Sequence, residues 1–372
     1  MTSVQAKTRT AFRILCRCLT GALGQTLLSS DLPANPQEWE EVLRLSSSHL
    51  VTPQLRWALR EQGLFTELPP DVADYLDAVY TLNLDRNGEC TNQLEQLIPV
   101  LNSLGVQPAL LKGGAAIVCG LYPTSGERMI TDLDILIPAK GLSAILNKME
   151  AMGYQALDSH SELATTGGWQ ALCHHYPPLF CPGLPSTIEL HVEPVDLLFF
   201  KLLSSEEFLR DAVTLKWRGG DCLIPSPSHF LAHNVIHSFL VNTRGKLEVI
   251  SLRQLFEFVH ASQTYSDQVS WTALVKRFDE PGYGSALRQY LALANTCLGF
   301  TPPVEIELGT WNRWRTKPHL ARLDLNNSSV EWMINFCSQA KVRLQNLFRK
   351  PDLLKKLLSS DFYSRWAKSI KR

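Results

Sequence analysis

The stretch Thr131-Asp132-Leu133-Asp134-Ile135-Leu136-Ile137 decides how this chain is read. Its run of apolar and β-branched residues predicts a strand, in which side chains i and i+2 share a face. Asp132 and Asp134 then project side by side, while Leu133 and Ile135 point into a core. Two carboxylates held so close repel each other and call for a cation between them. Mg2+, or Mn2+ in its place, answers that need, being an ion that takes carboxylate oxygens together with substrate phosphates. For the pair alone, the competing reading is a solvent-facing strand with two incidental acids.

Two further segments lie on either side of that strand. Upstream, Leu110-Leu111-Lys112-Gly113-Gly114-Ala115-Ala116 places two glycines between a predicted strand (108–111) and a predicted helix (113–121). Glycine permits close backbone approach to a ligand, and N–H groups at a helix start bind phosphate oxygens. Lys112 supplies a point charge for a triphosphate, or is a plain surface lysine beside a turn. Downstream, Thr187-Ile188-Glu189-Leu190-His191-Val192-Glu193 alternates cleanly, with Glu189, His191 and Glu193 on one face. A neighbouring strand of this kind aims Glu189 at the aspartate pair, as a third metal ligand or as a base near an acceptor hydroxyl. His191 is expected to support a ligand, to contact substrate, or to be a hydrogen-bonded histidine at a sheet edge. Arg128, just ahead of the central strand, either neutralises a leaving pyrophosphate or pairs with a local acid.

These residues resemble a known family. Leu111-Lys112-Gly113, Leu121-Tyr122-Pro123, Arg128 and Asp132-Leu133-Asp134-Ile135-Leu136-Ile137 are similar to the uncharacterised bacterial nucleotidyltransferase family of the polymerase-β superfamily. Trp39 with His49, Val51 and Pro53 resembles that family's N-terminal helical region, and Glu189-Leu190-His191 its later acidic-Leu-His strand. Leu252-Arg253-Gln254-Leu255 is similar to a C-terminal helix motif that usually continues to Asp, where this chain has Glu257. There are two departures. Better-known members of the superfamily carry Gly-Ser shortly before the aspartates, whereas Gly113-Gly114 lies further upstream, and the third carboxylate is Glu189 where Asp is common. The resemblance implies transfer of a nucleoside monophosphate from an NTP to an acceptor, with release of pyrophosphate. The acceptor (small molecule, peptide or RNA) is undefined. It implies an α+β fold, with a small polymerase-β-like α/β core between N-terminal and C-terminal helical regions. Asp132, Asp134 and Glu189 would then be the metal-binding and catalytic set, and Lys112, Gly113, Gly114, Arg128 and His191 the nucleotide-binding residues.

The rest of the chain fits that frame. Helical periodicity predominates over 1–105, short strands alternate with helices over 106–204, and helical patterns return over 205–372. Segment 158–186, rich in Gly, Pro and His, reads as a long loop or flap. Of 372 residues, 45% are hydrophobic and 19% charged, with 36 basic against 36 acidic, which suits a globular protein and excludes a uniformly basic nucleic-acid binder. The balance is uneven: residues 341–372 carry ten Lys or Arg against two Asp. That tail reads as a solvated helix face, with contact to RNA or an anionic surface as the alternative. The nine cysteines form no CxxC pair and predict reduced thiols in a cytoplasmic protein. No stretch approaches the roughly 20 apolar residues that span a bilayer.

Other signals are set aside. His229, His233 and His237 recur every four residues; two are candidates to line the cleft, and packing between helices is the favoured reading. Arg253 and His260 have a loose ribonuclease-like spacing. No Walker A, GxGxxG-after-strand or GxSxG pattern is present. The competing functions are a nucleotide-binding scaffold without turnover, and a toxin–antitoxin component modifying tRNA or protein.

Overall fold

A computed structural model describes residues 3–156, 174–241, 251–302 and 306 of the chain. Its first layer is helical: α1 (Ser3–Leu19), α2 (Pro36–Ser48), α3 (Thr52–Glu61) and α4 (Pro70–Ser103). The boundaries follow local chemistry. Asn35 caps α2 by accepting from the Glu38 N–H at 3.0 Å, with Pro36 as the first helical residue. Gly105, at φ 74°, takes the left-handed conformation that ends the long α4.

The sheet contains β1 (Ala109–Leu110), β2 (Asp132–Leu136), β3 (Gln155–Ala156), β4 (Leu179–Phe180), β5 (Thr187–His191), β6 (Val213–Trp217) and β7 (Gly220–Ile224). Its order is β3-β4-β5-β2-β1-β7-β6. At its centre β2 runs parallel to β5 and antiparallel to β1. Helices α5 (Lys112–Val118) and α6 (Leu142–Ala151) connect the early strands, and α7 (Ser205–Arg210) precedes β6. The last layer is α8 (Pro227–Val235), α9 (Leu252–Thr264), α10 (Trp271–Asp279) and α11 (Gly284–Leu298). The fold is therefore the expected α+β arrangement, a mixed sheet with helical layers before and after it. Among the described residues no helix is long and apolar enough to cross a membrane, and the seven described cysteines are free thiols.

The structure departs from the sequence reading in two places. Residues 213–224, taken as part of a helical stretch, form a hairpin whose β7 pairs with β1, so the sheet continues past residue 204. Within the predicted flap, Leu179–Phe180 is a short strand between β3 and β5. Residues 158–173 of that flap and the basic tail lie outside the described residues.

One helix fixes the height of β2. On α4, Asn83, Arg86, Asn87 and Gln93 form an inward polar stripe against the backbone leading into the site. Asn83 Nδ2 donates to the carbonyls of Gly126 (2.7 Å) and Arg128 (3.1 Å), and Asn87 Nδ2 to those of Ser125 (2.6 Å) and Arg128 (2.5 Å). Arg86 donates to Ile130 O and Gln93 to Ser186 O, at the entries of β2 and β5. Buried carbonyls with no ladder partner are satisfied here by side chains, as buried backbone polar groups must be.

Candidate active site

The register of β2 and β5 builds the site. Asp134 lies opposite Glu189, Asp132 opposite Thr187 and Leu136 opposite His191. Because alternate residues share a face, Asp132, Asp134, Glu189 and His191 all rise on one side of the sheet. Leu133, Ile135, Ile188 and Leu190 are fully buried, or nearly so, on the other. There Leu133 meets α5, within van der Waals reach of a Cβ placed on Gly114 (3.7 Å).

Asp134 is the hub. Its Oδ1 accepts from Lys112 Nζ at 2.6 Å and lies 2.9 Å from His191 Nε2, and its side chain is 1% exposed. Burial pushes the Asp134 carboxyl up, but Lys112 and His191 outweigh it and hold the group well below the usual carboxylate range. His191 Nε2 also lies 3.6 Å from Glu189 Oε2. Burial opposes protonation of this imidazole, yet the hydrogen bonds to Asp134 and Glu189 raise its pKa. Asp132 accepts from the Thr131 hydroxyl at 2.7 Å, and its carboxyl is pushed up by burial and by Asp134. Lys112 adopts φ 47°, a left-handed conformation uncommon for a residue with a side chain; it persists because its ammonium is anchored on Asp134.

Beside these groups opens a cavity of about 240 Å3 lined by Lys112, Gly113, Arg128, Asp132 and Glu189 from the sheet side, and by His233, Asn234, His237, Arg253, Gln254 and Glu257 from α8, α9 and the turn between them. His237 sits in a π-helical turn, Ile236–Val241, directly after α8, a distortion often found at functional sites. The wall where the loop before β2 meets α9 is cationic. Arg128 forms a two-pronged ion pair with Glu257, Nε to Oε2 and Nη2 to Oε1 at 3.2 Å, and Tyr122 Oη donates to the same carboxylate at 3.3 Å. Arg253 Nη1 donates to Met129 O at 2.8 Å. Burial and the neighbouring Arg128 push Arg253 down to about 10, and burial with Lys112 pushes His233 down to about 4.

The residues singled out from sequence are thus only partly united. Asp132, Glu189, Lys112, Gly113 and Arg128 line one cavity, and Asp134 and His191 lie directly beneath it. Gly114 does not line it but faces Leu133, and a Cβ on Gly113 would stand 3.3 Å from the Arg128 guanidinium, so Gly113 makes room for an arginine. Lys112 points at Asp134, and Arg128 takes its local-acid alternative. Glu193 leaves the set, accepting from the backbone N–H and hydroxyl of Ser205 instead. His229 packs against Phe208 and Arg277, and His260 bonds Leu121 O, away from Arg253's partner. Sequence reasoning assigned no role in this site to His174 and His175, whose rings lie 5.2 and 5.1 Å from His191, nor to Asn234 and Gln254 on the cavity wall.

One ligand atom each from Asp134, Glu189 and His191 falls within 4.8 Å of the others, a spacing that a single cation can bridge. Two carboxylates and an imidazole fit a divalent metal, and Asp132 adds a third carboxylate alongside. The nitrogen donor suits Mn2+ or Zn2+ as well as the oxygens suit Mg2+.

Comparison with known proteins places this site in context. The chain belongs to a family described as uncharacterised nucleotidyltransferase, whose profile matches residues 35–299. Every residue of the cavity falls inside that span. Membership supports a transferase acting on a nucleotide. No curated protein and no solved structure shows significant similarity to the chain.

Proposed function

We propose that this cavity carries out metal-dependent nucleotidyl transfer from an NTP to an acceptor hydroxyl, with release of pyrophosphate. The observation that carries this reading is the parallel β2–β5 register, which gathers Asp132, Asp134, Glu189 and His191 on one sheet face beside a cavity walled by arginines. Asp134, Glu189 and His191 would hold the metal, Mg2+ or Mn2+, with Asp132 next to it. Bound there, the ion screens triphosphate charge and lowers the pKa of the attacking hydroxyl.

The chain's own groups do the rest. A bond forms between the acceptor oxygen and the α-phosphorus, and the α–β bridging bond breaks with its electron pair leaving on pyrophosphate. The acceptor proton passes to Asp132, whose proton affinity is raised by burial and by Asp134. Arg128, held in the cavity wall by Glu257, offsets charge on the phosphates. Each of Asp132→Ala and Asp134→Ala should abolish metal-dependent pyrophosphate release while the circular dichroism spectrum stays that of the parent. Full activity in either variant removes the mechanism.

One observation favours a second reading, a nucleotide-binding protein without turnover: the Lys112 ammonium already sits on Asp134 Oδ1. Calorimetric NTP binding with no pyrophosphate release, across Mg2+ and Mn2+ and a range of hydroxyl acceptors, would decide for it.

A further inference from the structure

The cationic wall of the cavity has more positive charge than its own structure uses. Arg128 and Arg253 stand together there, and the nearest carboxylate on that wall, Glu257, is held by both prongs of Arg128. Among the described residues the Arg253 side chain makes one hydrogen bond, Nη1 to Met129 O, and its Nε is shielded from solvent without a partner. A buried guanidinium nitrogen left unpaired is costly, because it has given up water and received nothing.

Its place on the helix adds to that cost. Ser251 caps α9 by accepting from the Arg253 N–H at 3.3 Å, so Arg253 sits in the first turn, where the helix dipole is positive and disfavours a cation. Arg128 pushes its pKa down further, on top of burial. Three unfavourable features at one residue lining one cavity are all relieved by the same event, arrival of an anion. The opposite wall, with Asp132 and Glu189, repels anions and favours a metal. A metal-chelated polyphosphate is polarised in the matching sense, with the cation toward the sheet and the terminal phosphates toward α9.

We propose that Arg253, backed by Arg128, forms the subsite for the terminal phosphates of a nucleoside triphosphate, so that the last helical layer reads the phosphate tail. This assignment rests on the nucleotidyltransferase reading for the identity of the anion, but the anion subsite itself does not. It moves the phosphate-binding role from Lys112 and Gly114, one engaged by Asp134 and the other facing the core, to a residue far along the chain.

The test is a titration series by isothermal calorimetry in Mg2+. The ligands are the non-cleavable α,β-methylene analogues of the four nucleoside triphosphates, the di- and monophosphates of whichever base binds, and inorganic tripolyphosphate. The parent protein should bind tri- better than di- and di- better than monophosphate. Arg253→Met should weaken triphosphate and tripolyphosphate binding about 10- to 100-fold, the size of one or two lost charge-assisted hydrogen bonds, and leave the monophosphate within about twofold. Arg253→Lys, which keeps the charge and loses the fork, should fall between them and covers the case in which Arg253→Met does not fold. Equal losses for mono- and triphosphate, no loss at all, or a parent indifferent to phosphate number would overturn the subsite. Tripolyphosphate binding that depends on Arg253, with no nucleotide bound by the parent, would keep the subsite and sink the transferase reading. Absence of both would sink the two together.

Discussion

Asp134 and Glu257 are both buried carboxylates at the edge of one cavity, and each is paired with a cation. The pairs are built differently. Asp134 meets a lysine whose side chain keeps 19% of its exposure, through a single contact of 2.6 Å to one oxygen. Glu257 meets an arginine that is 5% exposed, through two parallel contacts, with Tyr122 donating as well. An ammonium on a flexible stem is a point charge that another cation can displace, whereas a planar guanidinium fork is a fixed bracket. The sheet end of the cavity is therefore exchangeable and the helical end is framework.

The largest expected effect lies at the framework end. Glu257→Ala leaves Arg128 and Arg253 buried together without their carboxylate and should cost about 3–5 kcal/mol of unfolding free energy. Denaturant melts would show it, and a loss below about 1 kcal/mol would erase the contrast between the two pairs. At the exchangeable end the response should be to metal. Mn2+ at about a hundredfold excess over its Kd should stabilise the parent by about 2.7 kcal/mol. The same addition should leave the melting temperature of Asp134→Asn unchanged.

Smaller effects sharpen the comparison. Lys112→Met removes a competing cation from Asp134. A unit charge at about 4 Å in a medium of effective dielectric near 20 is worth about 4 kcal/mol, so even partial relief should tighten Mn2+ binding by about tenfold or more. Weaker binding would mean that the lysine organises the ligands and does not compete with the ion. The last effect concerns acid. Burial raises the Glu257 carboxyl, and Arg128 outweighs it and brings the pKa below the ordinary glutamate value. A depressed folded-state pKa contributes stability above the unfolded value of about 4.3, which is lost as pH falls through the folded one. Stability measured from pH 6 downward should therefore decline less steeply in Glu257→Gln than in the parent.

The sequence displayed one half of this contrast and concealed the other. β2 and β5 were legible because period-two alternation states which residues share a face. The β6–β7 hairpin carried a weaker signal. Val213, Leu215 and Trp217 alternate up to an Arg218-Gly219 turn, but their exposed and half-buried pattern resembles a solvated helix as readily as an edge strand. The residues of the cationic wall could be singled out, but not the pairing that joins them. Arg128 and Glu257 are 129 residues apart, and no periodicity in one segment names its partner in another. Arg253 was visible as part of a helix motif, yet its unpaired Nε exists only once α9 is laid over the loop before β2.

The polar stripe of α4 has a consequence for how such a protein can be divided. Asn83, Arg86, Asn87 and Gln93 serve carbonyls at the entries of both strands that carry the carboxylates, so those strands take their alignment from a helix outside the sheet. A fragment begun after α4 would keep every acidic ligand and lose the scaffold that sets their spacing. Any truncation or transplant of this core must carry the long helix along as an inseparable passenger.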